Sequence, residues 1–257
     1  TELTGHIFKE LGFNTLVGGN IGIPLISLAE KTDVNSVTVV ELSSFQLETI
    51  DTFKSHVSAI LNVTPDHLDR YDSISSYFEA KKRIFMNYGE NEYFIYNRDS
   101  AVLNSDASGF PLKSLSFSSS GNSCNSFYKD GKIYLNKEGK SVPVIEVNKM
   151  QILGIHNVEN TMAALLMTVS LLEIKGITPD LKAIAEACYS FKGLEHRMEF
   201  AGEFHGRIFI NDSKATTIGA VEMAVKSIKD RGILILGGRT KGDDYSRLRE
   251  IVKEKVR

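Results

Sequence analysis

The sequence predicts an α/β fold: a mostly parallel, helix-covered central sheet with a smaller antiparallel β part, followed by the start of a second Rossmann-like α/β domain. Three observations predict it. Apolar runs at 13–17, 37–41 and 56–62 alternate with helix-like stretches near 24–31 and 42–50, the rhythm of parallel strands joined by crossover helices. From about 92 to 147 the chain changes to short β-like pieces divided by Ser, Gly and Asn. After residue 192 strand-like and helix-like runs begin afresh, which sets the expected domains at 1–192 and 193–257.

Each element has its own signal. Leu3, Ile7, Phe8 and Leu11 recur at helical spacing and Gly12 stops them, so 2–11 reads as a helix. Ile74 to Met86 reads as another, with Ile74, Tyr77, Phe78, Ile84, Phe85 and Tyr88 on its apolar face. Tyr93–Tyr96, Leu115–Phe117, Lys132–Leu135 and Val142–Val147 are expected as antiparallel excursions with exposed turns, Ser118–Asn122 among them. Helices follow at 157–174, rich in Ala, Leu and Met and so buried on much of its surface, and at 179–189. Beyond the boundary come strands at Met198–Phe204 and Arg207–Ile210, a helix at 216–228, a strand at Gly232–Leu236 and a helix from 246. No internal repeat is visible. The first residue is Thr1 and both ends fall in or beside helical pattern, so the chain reads as an internal fragment.

Composition narrows the function. With 42% hydrophobic and 24% charged residues and a formal net charge of −2, the chain is an ordinary soluble globular protein with no field to attract nucleic acid or an acidic membrane. Cys124 and Cys188 lack the spacing of a disulfide framework or a zinc site, and no apolar run approaches the ~20 residues of a membrane span. A cytoplasmic location is the expectation.

Polar clusters follow several of the predicted strands, where open α/β sheets bind ligands. Asn211-Asp212-Ser213-Lys214-Ala215-Thr216 puts an acid, a cation and hydroxyls at one turn and suits an anionic ligand. Glu41–Glu48 follows Val37–Val40 in the same way, and Glu41 offers a hard oxygen to magnesium. Pro65-Asp66-His67 turns the chain after 56–62; His67 is either a metal ligand or a turn histidine. Lys81 falls on the apolar face of its helix, where an amine is either open to modification or packs its stem and snorkels, while Lys82 and Arg83 read as solvated. Gly18-Gly19-Asn20-Ile21-Gly22 and Gly237-Gly238-Arg239-Thr240-Lys241-Gly242 allow close backbone approach to a ligand, the second with cations added. No G-x-x-x-x-G-K-[ST] phosphate loop occurs.

These segments, with Asn62–Tyr71, Ala80-Lys81, Gly154–Asn160 and His196-Arg197, occur in an order that resembles the Mur ligase family. Within the superfamily, shared with folylpolyglutamate synthases, Glu-Leu-Ser-Ser-Phe-Gln and Asn-Asp-Ser-Lys-Ala-Thr are similar to the D-glutamate-adding branch. The resemblance implies an ATP-dependent amide-bond ligase of peptidoglycan precursor synthesis, acting on UDP-N-acetylmuramoyl-L-alanine and D-glutamate through an acyl phosphate, and monomeric. It implies Mg2+ held by Glu41 and His67, with Ser43 close to the ion, and Lys81 carbamylated to support a second ion. It places Asn20 on the UDP-sugar, Asn157 and Asn160 near adenine, Arg197, Asp212, Lys214 and Thr216 on nucleotide, and Lys241 on a D-glutamate carboxylate. Catalysis would fall to Lys81, His67 and Lys214. His196, Ser44, Gln46 and Asp69 are expected to be structural. The family's N-terminal UDP-binding domain, its phosphate loop and most of its C-terminal domain have no counterpart here, so this segment alone is expected to be inactive. Another Mur-type or polyglutamate-adding ligase, or a non-catalytic nucleotide-binding fragment, are the alternatives.

Overall fold

The computed structural model describes residues 1–257 apart from 66, 68, 69, 138, 229 and 239–243. The described residues fall into two compact units: Thr1–Lys149 with Val158–Ser190, and Met150–Asn157 with Phe191–Arg257.

In the first unit α1 (Glu2–Glu10) buries Leu3, Ile7 and Phe8, the stripe that its spacing dictates. β1 (Thr15–Gly19) and β2 (Val37–Glu41) pair in parallel around α2 (Leu25–Ala29). α3 (Ser44–Glu48) follows at once, opened by a capping box in which Ser43 accepts from the Gln46 amide and the Gln46 side chain accepts from the Ser43 amide. β3 (Val57–Ile60), α4 (Ile74–Lys82), β4 (Tyr93–Asn97), α5 (Ala101–Ser105) and β5 (Ser114–Ser118) complete the parallel part. β6 (Ser126–Lys129), β7 (Lys132–Lys137) and β8 (Lys140–Glu146) extend it.

Among the described residues these six strands form one sheet in the order β3-β4-β5-β6-β7-β8, parallel from β3 to β6 and antiparallel from β6 to β8. β4 lies inside the parallel part, and Phe94 and Ile95, which point to opposite faces, are both fully buried. The β6–β7 turn is Asp130-Gly131, both at positive φ (49° and 77°), the requirement of the tight hairpin turn that matches strand twist. α6 (Ile155–Ile174) has apolar residues all round and buries Met162, Leu165 and Leu166 almost completely. The Tyr93 hydroxyl donates to Glu173 at 2.8 Å; burial, then this carboxylate, push the phenol up to about 12. α7 (Leu181–Ser190) packs against α1 and β8. Cys124 and Cys188 are buried free thiols, pushed up by burial to about 11 and about 12.

The second unit is built on β9 (Glu199–Phe204) and β10 (Arg207–Asn211), an antiparallel pair with a register shift between Phe209 and Ile210. α8 (Ile218–Ser227) is capped by Thr217, whose hydroxyl accepts from the Ala220 amide, and it packs with α9 (Arg249–Lys255).

Four expectations are corrected. Tyr93–Tyr96 and Leu115–Phe117 are parallel strands, since each is preceded by a helical crossover long enough to return the chain to the same end of the sheet. Gly232–Leu236 forms no strand: Gly232 bridges Val256, and Ile233 and Ile235 are 73% and 90% exposed. The helix from Ile74 ends at Lys82 and tightens into a 3-10 turn, Arg83–Phe85. Lys82 and Arg83 are engaged: Lys82 pairs with Glu79 and Asp106, and Arg83 donates to the Leu47 and Ile50 carbonyls at 2.8 and 2.7 Å. No helix among the described residues is long and apolar enough to cross a membrane.

Candidate functional site

The strand ends of the first unit carry one group of candidates. Gly18 and Gly19 bring the turn after β1 against the end of β2: a Cβ on Gly19, at φ 111°, would stand 2.2 Å from the Glu41 carbonyl oxygen. The Asn20 amide donates to that carbonyl at 2.8 Å, leaving the Asn20 side chain exposed beside half-buried Glu41. Ser43 is two residues on, its hydroxyl engaged in the cap of α3. Ser44 is buried, and Gln46 closes the capping box.

His67 stands in the turn after β3 at φ 54°, a left-handed conformation that non-glycine residues adopt only when their surroundings enforce it. Its ring meets the edge of Phe45 at 4.9 Å and of Tyr77 at 5.9 Å. Lys81 Nζ lies over the Tyr77 ring at 4.7 Å, so one tyrosine is shared by His67 and Lys81. The fold thus gathers His67 and Lys81 around Tyr77, which the sequence reading placed only on an apolar face. Asp66 and Asp69 lie outside the described residues.

Glu48 belongs to the same cluster and was not singled out from the sequence. It accepts from Arg70 Nη2 and the Tyr71 hydroxyl, each at 2.5 Å, and the Arg70 hydrogen bond, then that of Tyr71, hold its carboxyl below the usual range. A different carboxylate network was also missed. Asp99 accepts from the Ser118 and Ser120 hydroxyls and from the Ser119 amide, and the Ser119 hydroxyl donates to Glu159 of α6 at 2.7 Å. Burial works against the Asp99 charge, yet these hydroxyls keep its carboxyl below its ordinary range. Burial raises that of Glu159, and the nearby Asp99 charge adds to the rise.

The second unit gathers the other candidates. Asp212 accepts from the Met198 amide at 3.0 Å and the Lys214 amide donates to the His196 carbonyl at 3.1 Å, which draws 196–198 against 211–214. His196 and Met198 are at φ 66° and 47°; Asn211 Nδ2 donates to His196 Nδ1 at 2.8 Å and to Glu199 at 3.1 Å. Arg197, Lys214 and Thr216 are exposed around this knot and Asp212 is half-buried. Burial pushes the His156 imidazole below its ordinary range, opposed by the Asp212 charge. Asn157 donates to the Leu153 carbonyl at 2.7 Å; Asn160, three residues on in α6, is exposed and belongs to the first unit. Lys241, with Arg239, Thr240 and Gly242, lies outside the described residues.

Among the described residues no three His, Cys, Asp or Glu side chains converge as a metal cage. Glu41 is a hard oxygen donor of the kind that magnesium takes one or two of, with water filling the rest of its shell.

Residues 1–168 match the Mur ligase middle domain. The UDP-N-acetylmuramoylalanine–D-glutamate ligase of Citrifermentans bemidjiense is 41% identical over 261 residues, covering 100% of this chain and 55% of that protein. The enzyme of the same name from Thermoanaerobacter sp. is 39% identical over 262 residues, covering 100% and 56%. The chain therefore spans about half the length of the curated relatives it matches. Of solved structures, UDP-N-acetylmuramoyl-L-alanyl-D-glutamate–2,6-diaminopimelate ligase shares the fold with a TM-score of 0.67 at 20% identity, covering 99% of this chain and 58% of that one. MurF from Thermotoga maritima, in complex with ADP, gives 0.62 at 17%, covering 90% and 55%, and folylpolyglutamate synthetase from Lactobacillus casei gives 0.64 at 9%, covering 99% and 73%. With its first 168 residues matched to the middle domain and its whole length to these relatives, the chain belongs to the Mur ligase family.

Proposed function

We propose that this chain is the central and adjoining part of an ATP-dependent, cytoplasmic, monomeric ligase that joins D-glutamate to UDP-N-acetylmuramoyl-L-alanine. The observation that carries the reading is the likeness, 41% identical along the whole chain, to a protein named for that reaction. In the proposed reaction ATP phosphorylates the alanyl carboxylate, and the D-glutamate amine attacks the acyl phosphate, leaving ADP, phosphate and an amide. Residues 1–192 would form the central nucleotide domain and 193–257 the beginning of the next.

Crowded negative charge is the obstacle, and little acid–base work is asked of the protein. Magnesium, held by Glu41 and His67, would supply neutralisation of phosphate and carboxylate charge. Ser43 would orient groups beside that ion. Carbamylation would turn the Lys81 cation into an anion able to support a second one. The exposed cations Arg197 and Lys214, with Asp212 and Thr216, would grip the nucleotide; Asn157 and Asn160 would hydrogen-bond the adenine. Asn20 would bind the UDP-sugar and Lys241 a carboxylate of D-glutamate.

The test is phosphate release from ATP by the full-length gene product, given UDP-N-acetylmuramoyl-L-alanine and, separately, D-glutamate, L-glutamate, L-lysine or meso-diaminopimelate. Release that depends on D-glutamate is expected. Dependence on another acceptor would overturn the substrate and the role of Lys241, and no release with any acceptor would leave a non-catalytic nucleotide-binding protein.

A further inference from the structure

Glu41 and Ser43 lead into α3, His67 rides on the turn after β3, and Lys81 sits in the last turn of α4. Side chains join these three pieces. Arg83 ties the end of α4 to the carbonyls at the end of α3. Tyr71 tilts onto Tyr77 of α4, with ring centroids 5.2 Å apart. The third link is Glu48, whose two carboxylate oxygens take donors from two successive residues of the turn: Arg70 Nη2 and the Tyr71 hydroxyl at 2.5 Å, with Arg70 Nε at 3.4 Å.

We propose that Glu48 is a positioning residue: by clasping Arg70 and Tyr71 it fixes the turn that presents His67, and so sets the affinity of the site for a divalent cation. The inference rests on the metal reading given above. Its geometry is direct. The Arg70 and Tyr71 amides both donate to the His67 carbonyl at 3.0 Å, so the two residues that Glu48 holds are the two that hold the His67 backbone. That backbone is left-handed, a state that lasts only where neighbours over-determine it. Phe45 closes the arrangement, with the Arg70 guanidinium 4.8 Å above its ring, Tyr71 stacked at 6.0 Å and His67 against its edge. A partly exposed ion pair contributes little to global stability, so a large effect on metal affinity would mark positioning. Groups behind a metal ligand commonly set its affinity by about 10–100-fold.

The experiment titrates Mn2+ into the full-length gene product with ADP present and reads free Mn2+ by electron paramagnetic resonance. Glu48→Ala is expected to raise the half-saturating Mn2+ concentration about tenfold, while Tm falls by no more than about 4 °C. Tyr71→Phe, which keeps the ring and loses one donor, is expected to lie between and stands in if Glu48→Ala does not fold. Adding Arg70→Ala to Glu48→Ala should cost little more, because both remove the same clasp. If His67→Ala weakens Mn2+ binding and neither Glu48→Ala nor Tyr71→Phe does, the clasp is refuted and the metal reading stands. If His67→Ala leaves binding unchanged, the metal reading falls and takes the clasp with it.

Discussion

Phenylalanine behaves differently in the two units. In the sheet unit Phe94 and Phe117 are fully buried, and Phe94 meets the rings of Phe85, Tyr96 and Phe110 at 4.7, 6.1 and 4.8 Å. On the β9–β10 hairpin Phe200 and Phe204 are each 65% exposed, and Ile208 is 64% exposed. Both sequences read as strands, and both form strands. What differs is the second layer: helices cover the strands of the sheet unit, whereas within the second unit β9 and β10 pack chiefly on each other. Apolar alternation therefore specifies a strand but says nothing of what will cover it.

The largest expected effect tests the covered side. Phe94→Ala should destabilise the sheet unit by about 3–5 kcal/mol, read from the midpoint of chemical denaturation; a loss below about 1 kcal/mol would erase the contrast. Thr217→Ala removes the cap of α8 and should cost that helix about 1 kcal/mol, seen as roughly fivefold faster hydrogen exchange of the amides from Val221 onward. Phe204→Ser, on the open hairpin, should change stability by no more than about 0.5 kcal/mol; a core-sized loss would mean the residue is covered in solution.

Glu159 yields a prediction of sign. Its folded carboxyl holds a proton more tightly than the usual 4.5, chiefly through burial, so the native state is favoured as pH falls and disfavoured above its raised value. Glu159→Gln keeps an acceptor for Ser119 and removes the charge. The variant should gain on the natural protein at pH 7 and lose that advantage as pH falls toward 4.5, as measured by denaturation midpoints across a pH series. An advantage that grows on acidification would contradict the burial account. Glu48 is the counter-case: Arg70 holds its carboxyl low, so its contribution is present above the usual value and lost on acidification through the lower one.

Much of the fold was legible because it is written locally. The stripe of α1 and the apolar runs of β2 and β3 appear where their periodicity puts them. Direction was not legible: β4 and β5 look like any short strands, and their parallel pairing is decided by the crossovers between them. The apolar run at 232–236 failed as a strand because a ladder needs a neighbour, and among the described residues the run pairs through a single bridge, Gly232 to Val256. Residues at strand ends, such as Glu41, could be flagged from their place after an apolar run. The Glu48–Arg70 clasp could not, since its partners are 22 residues apart and neither is unusual in its own stretch of sequence.

The buried thiols have a practical consequence. Cys124 and Cys188, pushed up by burial to about 11 and about 12, hold almost no thiolate at neutral pH, and thiolate is the form that reacts with maleimides and iodoacetamides. These two thiols of the chain are therefore nearly silent to such reagents. One surface cysteine introduced on each unit can carry a dye or spin-label pair without removing either native cysteine. That pair turns the separation of the units, with and without nucleotide, into a distance that spectroscopy reads directly.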